Sequence, residues 1–225
     1  MGFYSRRFEF MKKLTEIANR HRTDKGTVQG EAHGFTEFYE PYWDAYKGKE
    51  NLTVLEIGVQ SGHSLETIEE FFEGKAQVYG IDINDGYQPT KPNIHTYICD
   101  QGDEGQIRKF LNKIGNIKFD IIIDDGSHQF VHQMTSLFAF MDSVKPDGIY
   151  VLEDLHTSLS WGSDAKNTPL YFLTFFDNVD CISTEKQGVL RERIKDVTVY
   201  NRKNPLGSCN KRSVTSIITF NQPGQ

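Results

Sequence analysis

The sequence predicts an α/β protein built on a doubly wound, mostly parallel sheet of seven strands, and three observations carry that prediction. From residue 51 onward, short β-rich apolar runs alternate with helical repeats, as they do when a parallel sheet is covered on both faces. Glycines and carboxylates gather at the carboxyl ends of those runs. The last two runs follow one another without a helix between them, which marks an antiparallel ending.

Before residue 50, Phe10, Leu14, Ile17 and Ala18 recur at helical spacing and predict an amphipathic helix that closes near "NRHRTDKGT". In the aromatic stretch "HGFTEFYEPYWDAY", Pro41 predicts a turn followed by a short helix rather than one continuous helix. "LTVLEIGV" is then a first strand, "HSLETIEEFF" a helix, "AQVYGIDI" a second strand, "IHTYICD" a third and "EGQIRKFLNKI" a helix. "FDIIIDD" makes a fourth strand, "QFVHQMTSLFAFMDSV" a helix and "GIYVLEDL" a fifth strand. "LYFLTFFDNVDCIST" reads as a last helix on Phe172, Phe175, Phe176 and Val179. "IKDVTVYNRKN" and "SVTSIITFNQ" complete the seven strands as an antiparallel pair joined through Pro205 to Gly207.

At 225 residues the chain is long enough to bury a substantial core. A net charge of −6 with interspersed signs, and no basic-aromatic stripe, argues against a nucleic-acid partner. Cys99, Cys181 and Cys209 lie far apart and outside any C-x-x-C pattern, so neither a disulfide framework nor a zinc knuckle is expected. No window approaches the roughly 20 apolar residues of a membrane span, and the N-terminus has no unbroken apolar leader. A soluble, cytoplasmic protein without a membrane partner is the expectation.

The loop "LEIGVQSGHS" sets Glu56, Gly58 and Gly62 between the first strand and its helix, where glycines let backbone N–H groups approach a ligand. A dinucleotide site would show G-x-G-x-x-G; this loop reads E-x-G-x-x-x-G. A carboxylate there is a poor neighbour for pyrophosphate and a good one for a cation, such as the sulfonium and α-ammonium of S-adenosylmethionine. Asp82, closing the second strand, stands where a ribose diol is held in this topology, and Asp100, closing the third, is placed to face adenine. Each acid alone also suits a helix cap or turn.

A second cluster lies where "FDIIIDDGSHQF" and "LEDLH" end: Asp124, Asp125, His128, Glu153, Asp154 and His156. Like charges at close range call for a cation, and an oxygen-rich set suits Mg²⁺ or a similar hard divalent metal. Such a metal makes a coordinated hydroxyl more acidic, and imidazole is the side chain suited to take the proton. His128 stands three residues after Asp125 on the turn into a helix, close enough for one substrate oxygen to touch both. The competing reading has Asp125 or Ser127 capping the helix near Gln129 and Asp154 capping the next segment, but capping uses one acid per loop and leaves the others and His128 over. His95 and His132 read as surface or structural histidines.

In this order, "LEIGVQSGHS", "YGIDI", "FDIIIDDGSH" and "GIYVLEDLHTS", with "TDKGT" and "FTEFYEPYW" upstream, resemble the class I, Rossmann-like S-adenosylmethionine-dependent methyltransferases. More narrowly they are similar to the metal-dependent O-methyltransferases of macrolide-sugar tailoring, the mycinamicin and macrocin group. The resemblance implies Asp125, Glu153 and Asp154 as metal ligands, His128 as catalytic base, and Glu56, Gly58, Gly62, Asp82, Asp100 and Lys25 about the cofactor. Where such a family often has two aspartates at the fifth strand end, this chain has Glu153 before Asp154. Residues 1–50 would be a helical extension or lid carrying Lys25, His33, Tyr39 and Tyr42, with 51–225 the S-adenosylmethionine-binding domain. The implied reaction is methylation of a hydroxyl on a sugar or sugar-containing metabolite, with residues 157–195 shaping the acceptor pocket and self-association left open. The alternatives are a methyltransferase for a catechol-like diol or a phosphorylated or amino-bearing metabolite, and a catalytically silent cofactor-binding protein.

Overall fold

The computed structural model describes residues 13–28, 32–159, 166–203 and 212–221. Its strands are β1 (Thr53–Ile57), β2 (Gln77–Asp82), β3 (Ile94–Ile98), β4 (Phe119–Asp124), β5 (Val144–Leu152), β6 (Ile194–Lys203) and β7 (Arg212–Phe220). They form one sheet in the order β3-β2-β1-β4-β5-β7-β6. β1 to β5 run parallel, and β7 is antiparallel to both its neighbours. This is the seven-stranded doubly wound sheet that the sequence predicts. The chain leaves β1 toward β2 and returns to the other side as β4, so these paired strands flank the point where strand order reverses.

Two apolar layers cover the sheet. Leu55, Ile57, Ile122, Tyr150 and Leu152 face helices α4 (Glu104–Lys113), α5 (Phe130–Phe140), α6 (Pro169–Phe175) and α7 (Thr184–Arg193). Val54, Ile121, Ile123, Ile149 and Val151 face α1 (Lys13–His21), α2 (Thr36–Trp43) and α3 (His63–Phe71). Beyond the irregularity between Phe119 and Ile121, the alternation along the paired strand ends decides which face a polar residue there will meet.

Two segments depart from the sequence reading. α2 runs through Pro41 instead of turning before it. Proline removes only the bond to Glu37, and Tyr39 and Trp43 bury their rings on the same layer, so packing outweighs the local penalty. The single helix expected over 170–184 is two: α6, capped by Thr168, stops at Phe176 in a left-handed conformation, and α7 begins after Ser183. Phe10, residues 160–165 of the expected acceptor wall and the Pro205–Gly207 turn lie outside the described residues.

Candidate active site

Parity along the strands builds the site. In β4, Ile121 and Ile123 face the layer of α1 to α3, and Phe119 and Ile122 the other. Asp124 therefore points away from the N-terminal segment, and Asp125 toward it. Asp124 is buried, accepting from Tyr150 Oη at 2.8 Å, from Gln101 Nε2 at 2.9 Å and from Ser136 Oγ. Burial raises its pKa against the pull of these three donors. It is a structural acid tying β4 to β5, α5 and the loop after β3. Glu56, between Leu55 and Ile57, and Glu153, after Leu152, share the face of Asp125 by the same rule.

Three acids thus converge on one side of the switch point, and Lys25 enters among them from the segment between α1 and α2. Its Nζ donates to Asp125, lies 3.1 Å from Glu153 Oε2 and 3.6 Å from Glu56 Oε1, and the residue is only 4% exposed. Backbone bonds from His33 to Asp24, Gly34 to Gly26 and Thr36 to Lys25 clamp this segment onto the start of α2. Burial opposes charge on the ammonium, but Asp125, Glu153 and Glu56 together hold it protonated. One cation does not balance three carboxylates. Burial pushes Glu56 up to about 7 against Lys25 and Ser64, and Asp125 up to about 6, with Lys25 opposing and Asp154 adding to the rise. Burial likewise holds Glu153 well above the ordinary carboxylate range, although it accepts from Tyr39 Oη at 2.9 Å. Tyr39 is fixed in turn by Thr215 at 2.9 Å.

Beside this cage, Asp125, His128 and Asp154 each bring one ligand atom within 4.8 Å of the others. His128 Nε2 is 3.2 Å from Asp154 Oδ2. Both residues have left-handed backbones, at φ 56° and 55°, a conformation that costs a non-glycine residue energy and recurs at functional sites. Neither carboxylate is spent on capping: Gln129 occupies the N-cap of α5 with no side-chain hydrogen bond, and the turn after Asp154 bonds to its backbone carbonyl through Thr157, leaving the carboxylate to face the histidines. Glu153 stands beside Asp125, sharing Lys25 with it and accepting from Tyr39, but outside the group whose ligand atoms lie within 4.8 Å of one another.

The glycine loop meets this cluster in one cleft of about 910 Å³, which is also lined by Asp82, Asp100 and Lys25. Gly58 has φ 90°, and a Cβ there would collide with the carbonyl of Asp125. Gly62, at φ 77°, opens α3 with Tyr87 packed where a side chain would stand. Asp82 Oδ2 accepts from the N–H groups of Val59 at 2.9 Å and Gln60 at 3.0 Å, and Oδ1 from Asn84 at 2.9 Å. Burial would raise this acid, but Gln60, Asn84, Val59 and Ile83 together hold it below its ordinary value. Asp82 thereby braces the loop. Asp100 lines the cleft and closes its own turn onto Gly102 at 2.8 Å.

Sequence reasoning missed Gln101, which is 5% exposed and joins Asp124 to the backbone of Ser127 at 2.6 Å. Its place directly after Asp100, in the loop that follows the third strand, was the available signal. His132, read as structural, lines the cleft and pairs with Ser127 Oγ at 3.0 Å. His95 lies on β3 beside Gln77 and the ring of Tyr79.

No family model matches the chain. It is 36% identical over 152 residues to 8-demethyl-8-alpha-L-rhamnosyl tetracenomycin-C 2'-O-methyltransferase of Streptomyces olivaceus, covering 64% of this chain and 38% of that protein. Over 163 residues it is 36% identical to demethylmacrocin O-methyltransferase of Streptomyces fradiae, covering 69% of this chain and 40% of that one. The chain thus spans less than half the length of the curated relatives it matches. Its fold superposes on the MycE methyltransferase in complex with Mg, SAH and mycinamycin VI, with a TM-score of 0.71 and 27% identity over 95% of this chain and 56% of that one. The sheet order, the loop at its switch point and these relatives together place the chain among the class I, Rossmann-like methyltransferases, as a homologue of the macrocin and mycinamicin sugar O-methyltransferases.

Proposed function

We propose that the chain transfers a methyl group from S-adenosylmethionine to a hydroxyl of a sugar or sugar-bearing small molecule, assisted by Mg²⁺ or a similar divalent ion. The observation that carries this reading is the meeting, in one cleft over the β1/β4 switch point, of a glycine loop backed by Glu56 with a cluster of Asp125, His128 and Asp154. A rhamnosyl tetracenomycin, demethylmacrocin and mycinamicin VI stand in the names of the relatives, which favours a sugar-bearing small molecule over a nucleic acid.

The residues fit a hard dication. Lys25 supplies one charge to three buried acids whose pKa values burial has raised, and a dication on the oxygens of Asp125 and Asp154 would supply the charge that lets them ionise. Asp125 and Asp154 would hold the ion, with Glu153 behind them; bound there, it would make an acceptor hydroxyl more acidic. His128, whose Nε2 lies 3.2 Å from Asp154 Oδ2, is the side chain placed to take the hydroxyl proton. Gly58, on the cleft wall, lets the cofactor loop pass directly against the Asp125 carbonyl, and Gly62, outside the cleft lining, makes room for Tyr87 at the start of α3; Asp82 and Asp100 would serve the ribose and adenine, and Glu56 the α-ammonium or sulfonium. Lys25 keeps the cofactor side and the metal side of the cage joined. Arg22 to Lys25, between α1 and α2, close one side of the cleft, while α1 and α2 themselves belong to the core layer on the sheet. The reaction is assigned to the cytoplasm. No described helix is long and apolar enough to cross a membrane.

The test is release of S-adenosylhomocysteine with rhamnosyl and macrolide-sugar acceptors, before and after chelation. Turnover that needs both acceptor and Mg²⁺ is expected. Full-rate methylation by chelator-stripped protein would remove the metal from the reaction, and cofactor binding without turnover on any hydroxyl would favour a silent binding protein.

A further inference from the structure

Asp154 stands between two groups of donors, and it shows each a different oxygen. Oδ2 faces His128 Nε2 at 3.2 Å, whereas Oδ1 is buried and lies 3.5 Å from His156 Nδ1. On that second side His33 joins the set: His33, Asp154 and His156 bring one ligand atom each within 4.8 Å of one another. The rings of His33 and His156 lie 5.5 Å apart, inclined by 29°.

The His33 ring is held in place. Its Nδ1 is 2.8 Å from the hydroxyl of buried Ser213, and Phe35 stacks on it at 4.9 Å. Ser213 thus occupies one ring nitrogen and leaves Nε2 for another partner, the arrangement by which a neighbouring group orients a metal-binding histidine. The backbone N–H of His33 is anchored on Asp24 at 2.7 Å. His156 follows Asp154 by two residues on the short 3₁₀ turn Leu155–Leu159, so β5, the segment between α1 and α2 and β7 each contribute to one wall.

The donor sets differ in chemistry. The first group offers two carboxylates and one imidazole, whereas the second offers two imidazoles and one carboxylate. Mg²⁺ takes oxygen and seldom accepts nitrogen, while two histidines with a carboxylate suit borderline first-row dications. We propose that His33, His156 and Asp154 Oδ1 form a second cation site, selective for a nitrogen-accepting dication such as Zn²⁺ or Co²⁺, and joined through the Asp154 carboxylate to the oxygen-rich group at Asp125 and His128. A carboxylate with one oxygen on each ion is the bridge by which paired metal sites hold their ions about 3.5–4 Å apart. The site goes beyond the methyl-transfer reading, because it concerns a different ion on the other side of Asp154.

The test uses the full chain with Mg²⁺ present throughout, titrated with Co²⁺ for its visible absorption and loaded with Zn²⁺ for X-ray absorption. One saturable Zn²⁺ site with two imidazole nitrogens at about 2.0–2.1 Å is expected. His33→Gln and His156→Gln should each weaken Zn²⁺ by about 100-fold, and Ser213→Ala, which frees the His33 ring, by about tenfold. Asp125→Asn should leave the two-imidazole signature in place. Absence of saturable Zn²⁺ binding overturns the proposal, and so does a signature that survives in the His33→Gln/His156→Gln double variant or vanishes in Asp125→Asn. The unmodified chain carries the spectroscopic test even where a variant fails to fold. The readout is bound metal, not turnover, so its failure leaves the methyl-transfer reading standing.

Discussion

Glu56 makes the apoprotein's stability depend on pH in a way that can be worked from the structure. The carboxyl is fully buried, and burial pushes it from its ordinary 4.5 up to about 7, with Lys25 at 3.6 Å only partly offsetting that push. Between those two values the folded protein binds more protons than the unfolded chain, so the contribution is present in full below pH 4.5 and is lost as pH rises through 7. At about 1.36 kcal/mol for each pH unit, the loss from this group is about 3 kcal/mol. Asp125, pushed up to about 6, adds a similar slope at lower pH. Urea denaturation in chelator at pH 5, 6, 7 and 8 measures the sum. With a urea slope of about 2 kcal/mol per molar, the Glu56 share lowers the midpoint by roughly 1.5 M. Glu56→Gln keeps the shape and cannot ionise, so its curve should lose the Glu56 slope between pH 5 and 7 while the Asp125 portion below pH 6 remains. A parent protein with no loss of stability from pH 5 to 8, or a Glu56→Gln variant with the parental slope, would refute the reasoning.

Other outcomes follow from the same geometry. His128→Asn, chosen because asparagine tolerates the left-handed backbone at φ 56°, should lower turnover by about 10²–10⁴-fold and leave S-adenosylmethionine affinity nearly unchanged in calorimetry. Gly58→Ala forces a side chain against the Asp125 carbonyl at φ 90°; a strain of about 1–3 kcal/mol and at least about tenfold weaker cofactor binding are expected. Asp124→Ala leaves Tyr150, Gln101 and Ser136 without their shared acceptor, which should cost about 2–4 kcal/mol in thermal or urea unfolding. Tyr39→Phe removes the phenolic donor to Glu153 and should weaken Mg²⁺ binding, read by competition with Mn²⁺ in electron paramagnetic resonance; affinity equal to the parent would show that Glu153 needs no such support.

Much of this protein is written in local pattern. The alternation of β-rich runs with helical repeats determined the parallel sheet, and the absence of a helix between the last two strands determined the antiparallel ending. The glycine loop and the acids at strand ends marked the cleft, because residues that stop a buried strand must lie at its rim. The tertiary structure decided how those acids divide. Asp124 and Asp125 are neighbours in sequence, yet the two-residue period of the strand sends one to Tyr150 and the other to Lys25. Glu153 likewise meets Tyr39 and Lys25, which come from a segment more than 100 residues away. The short helices after β5 ended where packing, not periodicity, allowed. Local pattern reports which residues a strand end presents; which charge each one meets depends on chain segments that only the folded topology brings together.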